Sequence, residues 1–265
     1  MLKAYKYRIY PNKQQENQIQ KTFGCCRFAY NQCLSLKINK YKIENISMNK
    51  INLNNYCNRE LKKEYKWLKE VDKFALTNSI YNIDSAYQKF FKEHTGYPKF
   101  KSKRDNKKSY KTNFVNNNIE VSFEENKIKL PKLKLVKARV HKQFIGKIKS
   151  ATISQVPSGK YYVSVLIEEE HHPLDSTGSV IGIDLGIKDL LITSDGEKFE
   201  NIQTTKKYAD KLAKEQRKLA HKVKGSSNYN KQRIKVARIY EKIHNTRIDN
   251  LHKISHKLIS ENQVI

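Results

Sequence analysis

The stretch that most constrains this chain is Ser179–Lys198, an apolar hairpin with a single acid in its first strand. Val180, Ile181, Ile183 and Leu185 form a largely β-branched run that favours burial on both faces. A carboxylate at Asp184 is costly in such a run unless a cation or hydrogen-bond donors satisfy it. Gly182 and Gly186 flank the acid and leave the backbone open to a close-approaching ligand. Two readings follow: a metal-binding carboxylate, or a structural aspartate that is hydrogen-bonded in place or caps the next turn. The first predicts Asp184 on the central strand of a three-stranded antiparallel sheet, with its carboxylate at an open cleft. Asp189 and Asp195 fit solvated or turn-forming roles.

Charge narrows the choice of partner. The 265 residues carry 53 Lys plus Arg against 26 Asp plus Glu, a formal charge of +27. Such self-repulsion is best relieved by a polyanion, which makes nucleic acid the leading partner. Only nine of the basic residues are Arg, and Lys, Asn, Ile and Tyr are all abundant, so codon bias accounts for part of the excess. Where the charge falls therefore matters more than its total. It is dense in Gly96–Lys111, with seven Lys or Arg and three aromatics. Such interleaving suits phosphate contact and base stacking, and it suits a solvated linker equally well on composition. The candidate contacts there are Tyr97, Lys99, Phe100, Lys101, Lys103, Arg104, Lys107 and Lys108, joined by Lys6, Arg8 and Arg27 nearer the N-terminus. Arg247 stands where a helical seam expects an apolar residue, either snorkelling past the core edge or reaching a phosphate.

Cys25, Cys26, Cys33 and Cys57 form no CxxC pair and have no histidine at zinc spacing, so buried free thiols of a reducing compartment are expected. His171 and His172 lack a spaced partner for a metal. No run approaches about eighteen apolar residues, and the N-terminus lacks the apolar segment of a signal peptide. A soluble, cytoplasmic protein with no membrane partner is expected.

Along the chain, Tyr5, Tyr7 and Ile9 alternate with Lys6 and Arg8 in a strand over 3–9. Asn12 and Gln15 form a capping pair for a helix striped by Ile19, Phe23, Cys26, Tyr30 and Cys33. Further helical segments carry Leu61, Tyr65 and Leu68, then Ile80, Ile83, Tyr87 and Phe90 over 73–93. Strands follow at 119–123, 127–130, 151–156 and 160–167, so the helices are an insertion into a discontinuous β-domain. After the Asp184 hairpin and a short strand at 198–200 come two basic helices, joined at Gly225–Ser227. The second carries a seam of Val236, Tyr240, Ile243, Leu251, Ile254 and Leu258. Gln263–Ile265 opens another strand. Antiparallel strands with an acid on the first, then helices, then a strand is the order of a ribonuclease-H-like fold.

Five segments, 3–16, 26–34, 97–103, 182–188 and 194–198, together closely resemble the TnpB or OrfB family of insertion-sequence proteins. The resemblance implies an α+β protein: a discontinuous wedge-like β-barrel (1–10 and 112–170) with an inserted helical recognition subdomain and basic linker (11–111). A linker (171–179) and an incomplete, N-terminal part of a RuvC-like nuclease domain (180–265) would follow. It implies an RNA-guided DNA endonuclease, related to ancestors of type V CRISPR effectors and often called a transposase, with guide RNA and a double-stranded DNA target as partners. Asp184 matches the family's first RuvC carboxylate, a catalytic ligand for Mg2+. The second carboxylate, the third and the zinc ribbon would lie beyond Ile265, which implies a truncated or interrupted copy with an incomplete centre. A nucleic-acid-binding regulatory fragment without nuclease function is the first alternative. An actin-like or sugar-kinase-like ATPase is the second, disfavoured because Ile187, Lys188, Asp189 and Leu190 replace the small residues that cradle phosphate.

Overall fold

The computed structural model describes residues 1–105, 108–170 and 176–265, and divides the chain into two compact units, Met1–Glu170 and His171–Ile265. His171, His172 and Lys107 lie outside the described residues.

The first unit is built on β1 (Leu2–Tyr10), whose alternation decides its facing: Tyr5, Tyr7 and Ile9 are buried while Lys6 stays out. Asn12 caps α1 (Lys13–Glu44), accepting from Gln15 N while the Gln15 side chain accepts from Asn12 N, a complete capping box. Then come α2 (Lys50–Tyr56), a π-turn (Cys57–Leu61), α3 (Lys62–Glu64), a 3₁₀ turn (Lys66–Glu70) and α4 (Lys73–Glu93), the last capped by Asp72. The chain returns through β2 (Lys108–Asn113), β3 (Glu120–Ser122), β4 (Lys127–Leu130), β5 (Lys134–Arg139), β6 (Lys147–Gln155) and β7 (Tyr161–Glu168).

These strands form one seven-stranded antiparallel sheet in the order β2-β6-β7-β1-β5-β4-β3. The strand that precedes the helices therefore sits in mid-sheet, and β2 opens at Lys108, four residues before the expected boundary at 112. The sheet does not close into the expected wedge-like β-barrel: among the described residues the edge strands β2 and β3 do not pair with each other. Between them the chain turns on itself, with Asn116 and Asn117 left-handed. Asn118 Oδ1 accepts from Val115 N and its Nδ2 donates to Asn113 O, so local side-chain bonds replace a closing ladder there. A single core joins sheet and helices, with Ile19, Cys33, Leu34, Leu76, Ile80 and Ile83 packed in one cluster with Tyr7, Val163 and Val165.

The second unit holds a small sheet of β8 (Ile183–Asp184), β9 (Asp189–Thr193) and β10 (Lys198–Glu200), then α5 (Thr204–Lys207), α6 (Ala209–Ala220) and α7 (Ser227–Glu261). The order is β10-β9-β8. Its core is lean: Ile181, Leu191 and Leu258, with Phe199 and Ile254 against them. Ile239 is buried in the α7 seam where Tyr240 was expected. Tyr240 is exposed and accepts a hydrogen bond from Gln216 across the α6–α7 hairpin.

Candidate nucleic-acid interface

In the first unit the basic residues are gathered by a side-chain clamp. Asn31, on α1, donates to Lys101 O (2.9 Å) and accepts from Lys101 N (2.8 Å), holding the post-α4 segment against the helix. A Ser102–Asp105 turn follows, with Ser102 N donating to Asp105 Oδ2. The result is a groove of about 810 Å3 between α1, this segment and the start of β2. Arg27, Lys101, Lys103 and Lys108 line it, and none of the four forms an ion pair with a carboxylate among the described residues.

Lys101 is the most telling of the four. Its ammonium lies 4.1 Å from the centre of the Tyr30 ring, and desolvation lowers its pKa below the ordinary lysine value. Lys101 is itself exposed, and Asp105 in the same groove offsets part of that shift, so the ammonium stays open to an incoming anion. The floor of the groove includes Gly24, mid-way along α1, where glycine costs about 1 kcal/mol relative to alanine. A Cβ there would meet no heavy atom within 4 Å, so packing within the chain does not require the glycine. It leaves bare backbone facing a basic groove.

The other sequence candidates scatter. Lys6 rests on the Tyr162 ring and Arg8 on Tyr10, both on β1, and Lys99 and Arg104 are exposed. Tyr97 and Phe100 line a different cavity, beside the last turns of α1 and α4. Arg247 is exposed and donates to Thr205 Oγ1 at 2.9 Å. All four cysteines are buried and free; burial pushes the Cys25 thiol up to about 11 and raises the other three.

Asp184 departs from expectation. It lies on the edge strand β8, not the central one, because β9 covers one side while on the other Gln263 and Val264 reach only Ser179–Ile181. Its side chain is exposed and has no hydrogen-bond partner among the described residues. The turn after it needs Gly186, since a Cβ there would stand 2.7 Å from Asp189 O. Asp189 opens β9, and Asp195 sits in the β9–β10 turn, accepting from Ser194 Oγ. No three His, Cys, Asp or Glu residues gather as a metal site among the described residues.

Comparison with known proteins gives the family. A family model described as a probable transposase, OrfB of the IS605 group, matches residues 162–265, and its companion helix-turn-helix domain matches residues 1–45. The chain belongs to the OrfB/TnpB family. Within 1–45 the structure has a strand and one uninterrupted helix, not two helices joined by a turn. Among curated proteins the chain is 33% identical over 259 residues to "Putative RNA-guided DNA endonuclease InsQ" of Escherichia coli strain K12, covering 96% of this chain and 62% of that protein. A Streptomyces pristinaespiralis protein with the same description apart from the name InsQ is 31% identical over 268 residues, covering 99% of this chain and 65% of its own length. The chain thus spans less than two thirds of either relative. A Cas12f1–sgRNA–target DNA complex aligns over 97% of this chain and 68% of that one at 15% identity, with a TM-score of 0.37.

Proposed function

We propose that this chain is the nucleic-acid-holding part of an RNA-guided DNA endonuclease, with guide RNA and duplex DNA as its partners. The observation that carries this reading is the groove, where Arg27, Lys101, Lys103 and Lys108 converge from three parts of the chain with no ion pair to a carboxylate among the described residues. Phosphates neutralise such a set, in which Asp105 is the one acid lining the groove, and approach closely over Gly24. The two curated relatives, described as RNA-guided DNA endonucleases, support the same class of ligand.

Asp184 is the candidate metal and catalytic carboxylate. Mg2+ is the ion that the family resemblance implies, but the described residues do not fit a two-metal centre: one exposed edge-strand carboxylate offers neither bridging ligands nor enclosure. The polypeptide of residues 1–265 accordingly binds nucleic acid without cutting it. The nuclease and the binding-only readings separate in one experiment. The purified 265-residue protein, with guide RNA and magnesium, is assayed for binding and cleavage of a matched duplex beside Asp184→Ala. Binding by both without cleavage by either is expected; cleavage above the variant would mean that other acids complete the centre.

A further inference from the structure

We propose that the aromatic cavity beside the last turns of α1 and α4 binds unpaired nucleobases, an inference that rests on the nucleic-acid reading of the neighbouring groove. The cavity measures about 1080 Å3, the size of a small-molecule pocket, and its walls include Tyr41, Tyr87, Phe90, Phe91, Tyr97 and Phe100. Part of this set is fixed in advance. Tyr97 stands edge-on to Tyr87 and Phe90, with ring centres 5.6 and 5.4 Å apart, and the Tyr87 and Tyr97 hydroxyls are hydrogen-bonded at 2.7 Å. The rest is uncovered: Phe91 is 68% exposed and Phe100 57%. Exposed aromatics clustered beside a preorganised set mark a binding surface more than a core defect.

Charge selects the guest. Lys37, Lys42 and Lys92 line the cavity with one acid, Asp84, so a cationic guest is repelled and a polyanion drawn in. The lining is mostly aromatic, however, and the Lys37 ammonium is already engaged by the Tyr87 ring and the Met48 carbonyl. A phosphate gains little inside. The neutral, planar part of the polyanion does gain, by stacking on ring faces that tolerate any base. Connectivity agrees, because Phe100 lines the cavity while the next residue, Lys101, lines the basic groove. One strand can keep its phosphates in the groove and turn a base into the cavity.

The test uses the full 265-residue chain and a short single-stranded RNA carrying one 2-aminopurine, whose fluorescence falls on stacking. Quenching at saturation is expected, and Phe91→Ser with Phe100→Ser should remove it and weaken binding roughly 5- to 150-fold. Arg27→Ala should weaken binding while leaving the quenching at saturation intact. Coincident thermal unfolding curves confirm that these exposed-site variants fold. Binding without quenching, or quenching that survives the double variant, overturns the inference and leaves the groove reading standing. No binding at all overturns both. A wild-type dimer that the double variant converts to monomer, with quenching unchanged, would instead make the patch a self-association surface and overturn the inference.

Discussion

The two units solve the same problem of a lysine-rich, hydrophobically lean chain in different ways. The first pools sheet and helices into one core, with Tyr7, Leu34, Ile80 and Val163 fully buried, and carries its charge outside. The second buries three apolar side chains in its sheet cluster and leaves Val180, Leu185 and Ile187 at 70, 73 and 91% exposure. The difference teaches that an apolar pattern secures neither a full strand nor its cover, since only Ile183–Asp184 of that run form β8. The β-branched run around Asp184 demands burial on both faces, and its backbone pairs with β9, with Ser194 just beyond it and with the short reach of Gln263–Val264.

Salt should have the largest effect. If about six to ten phosphates are contacted, affinity should fall by roughly three to five orders of magnitude between low and moderately high salt. Replacing Arg27, Lys101, Lys103 and Lys108 with alanine should lower the slope of that plot by up to about one per contact. An unchanged slope would move the interface away from the first unit.

Core truncation sharpens the contrast next. Leu34→Ala should cost about 3–5 kcal/mol in denaturant unfolding, whereas Leu258→Ala, in the lean cluster, should cost about 2 kcal/mol. In hydrogen exchange, β8–β10 amides should open with less free energy than those of α1 and β7. Equal protection in both units would break the comparison.

Gly24→Ala separates folding from binding within the first unit. It should raise stability by about 0.5–1 kcal/mol, because helix propensity improves and nothing stands in the way of the methyl group. Affinity for RNA should drop at the same time. A gain in stability with unchanged affinity would remove the close-approach role.

The smallest effect is a pH dependence at the end of β1. Glu169 accepts from Lys3 Nζ (2.8 Å) and Tyr5 OH (2.7 Å), and these bonds hold its carboxyl below the ordinary 4.5. A carboxyl depressed in the folded state contributes stability above its unfolded pKa and loses it as pH falls through the folded value. The stability gap between wild type and Glu169→Gln should therefore be full above about pH 4.5 and close below it. A gap independent of pH would show that the network contributes through packing alone.

Much of this was legible in advance. The alternation of Tyr5, Tyr7 and Ile9, the Asn12–Gln15 box and the Gly225–Ser227 turn are local signals, and the structure carries each out locally. β5 was not foreseen, because only Val136 and Ala138 of its six residues are buried and basic residues surround them. Its neighbours supply what its composition lacks: β1 pairs with it on one side and β4 on the other.

Sequence by itself determined which residue types were available and many of the elements they would form, because caps, turns and hydrophobic period act over a few residues. It also supplied the family resemblance. Only the tertiary structure decided which charges meet. Arg27 and Lys101 lie far apart along the chain, and two hydrogen bonds from Asn31 bring their segments together. The same holds for the split between Phe100 in the aromatic cavity and Lys101 in the basic groove, and for Asp184 at a sheet edge instead of its centre. Those outcomes depend on contacts between residues distant in sequence, and no local pattern encodes such contacts.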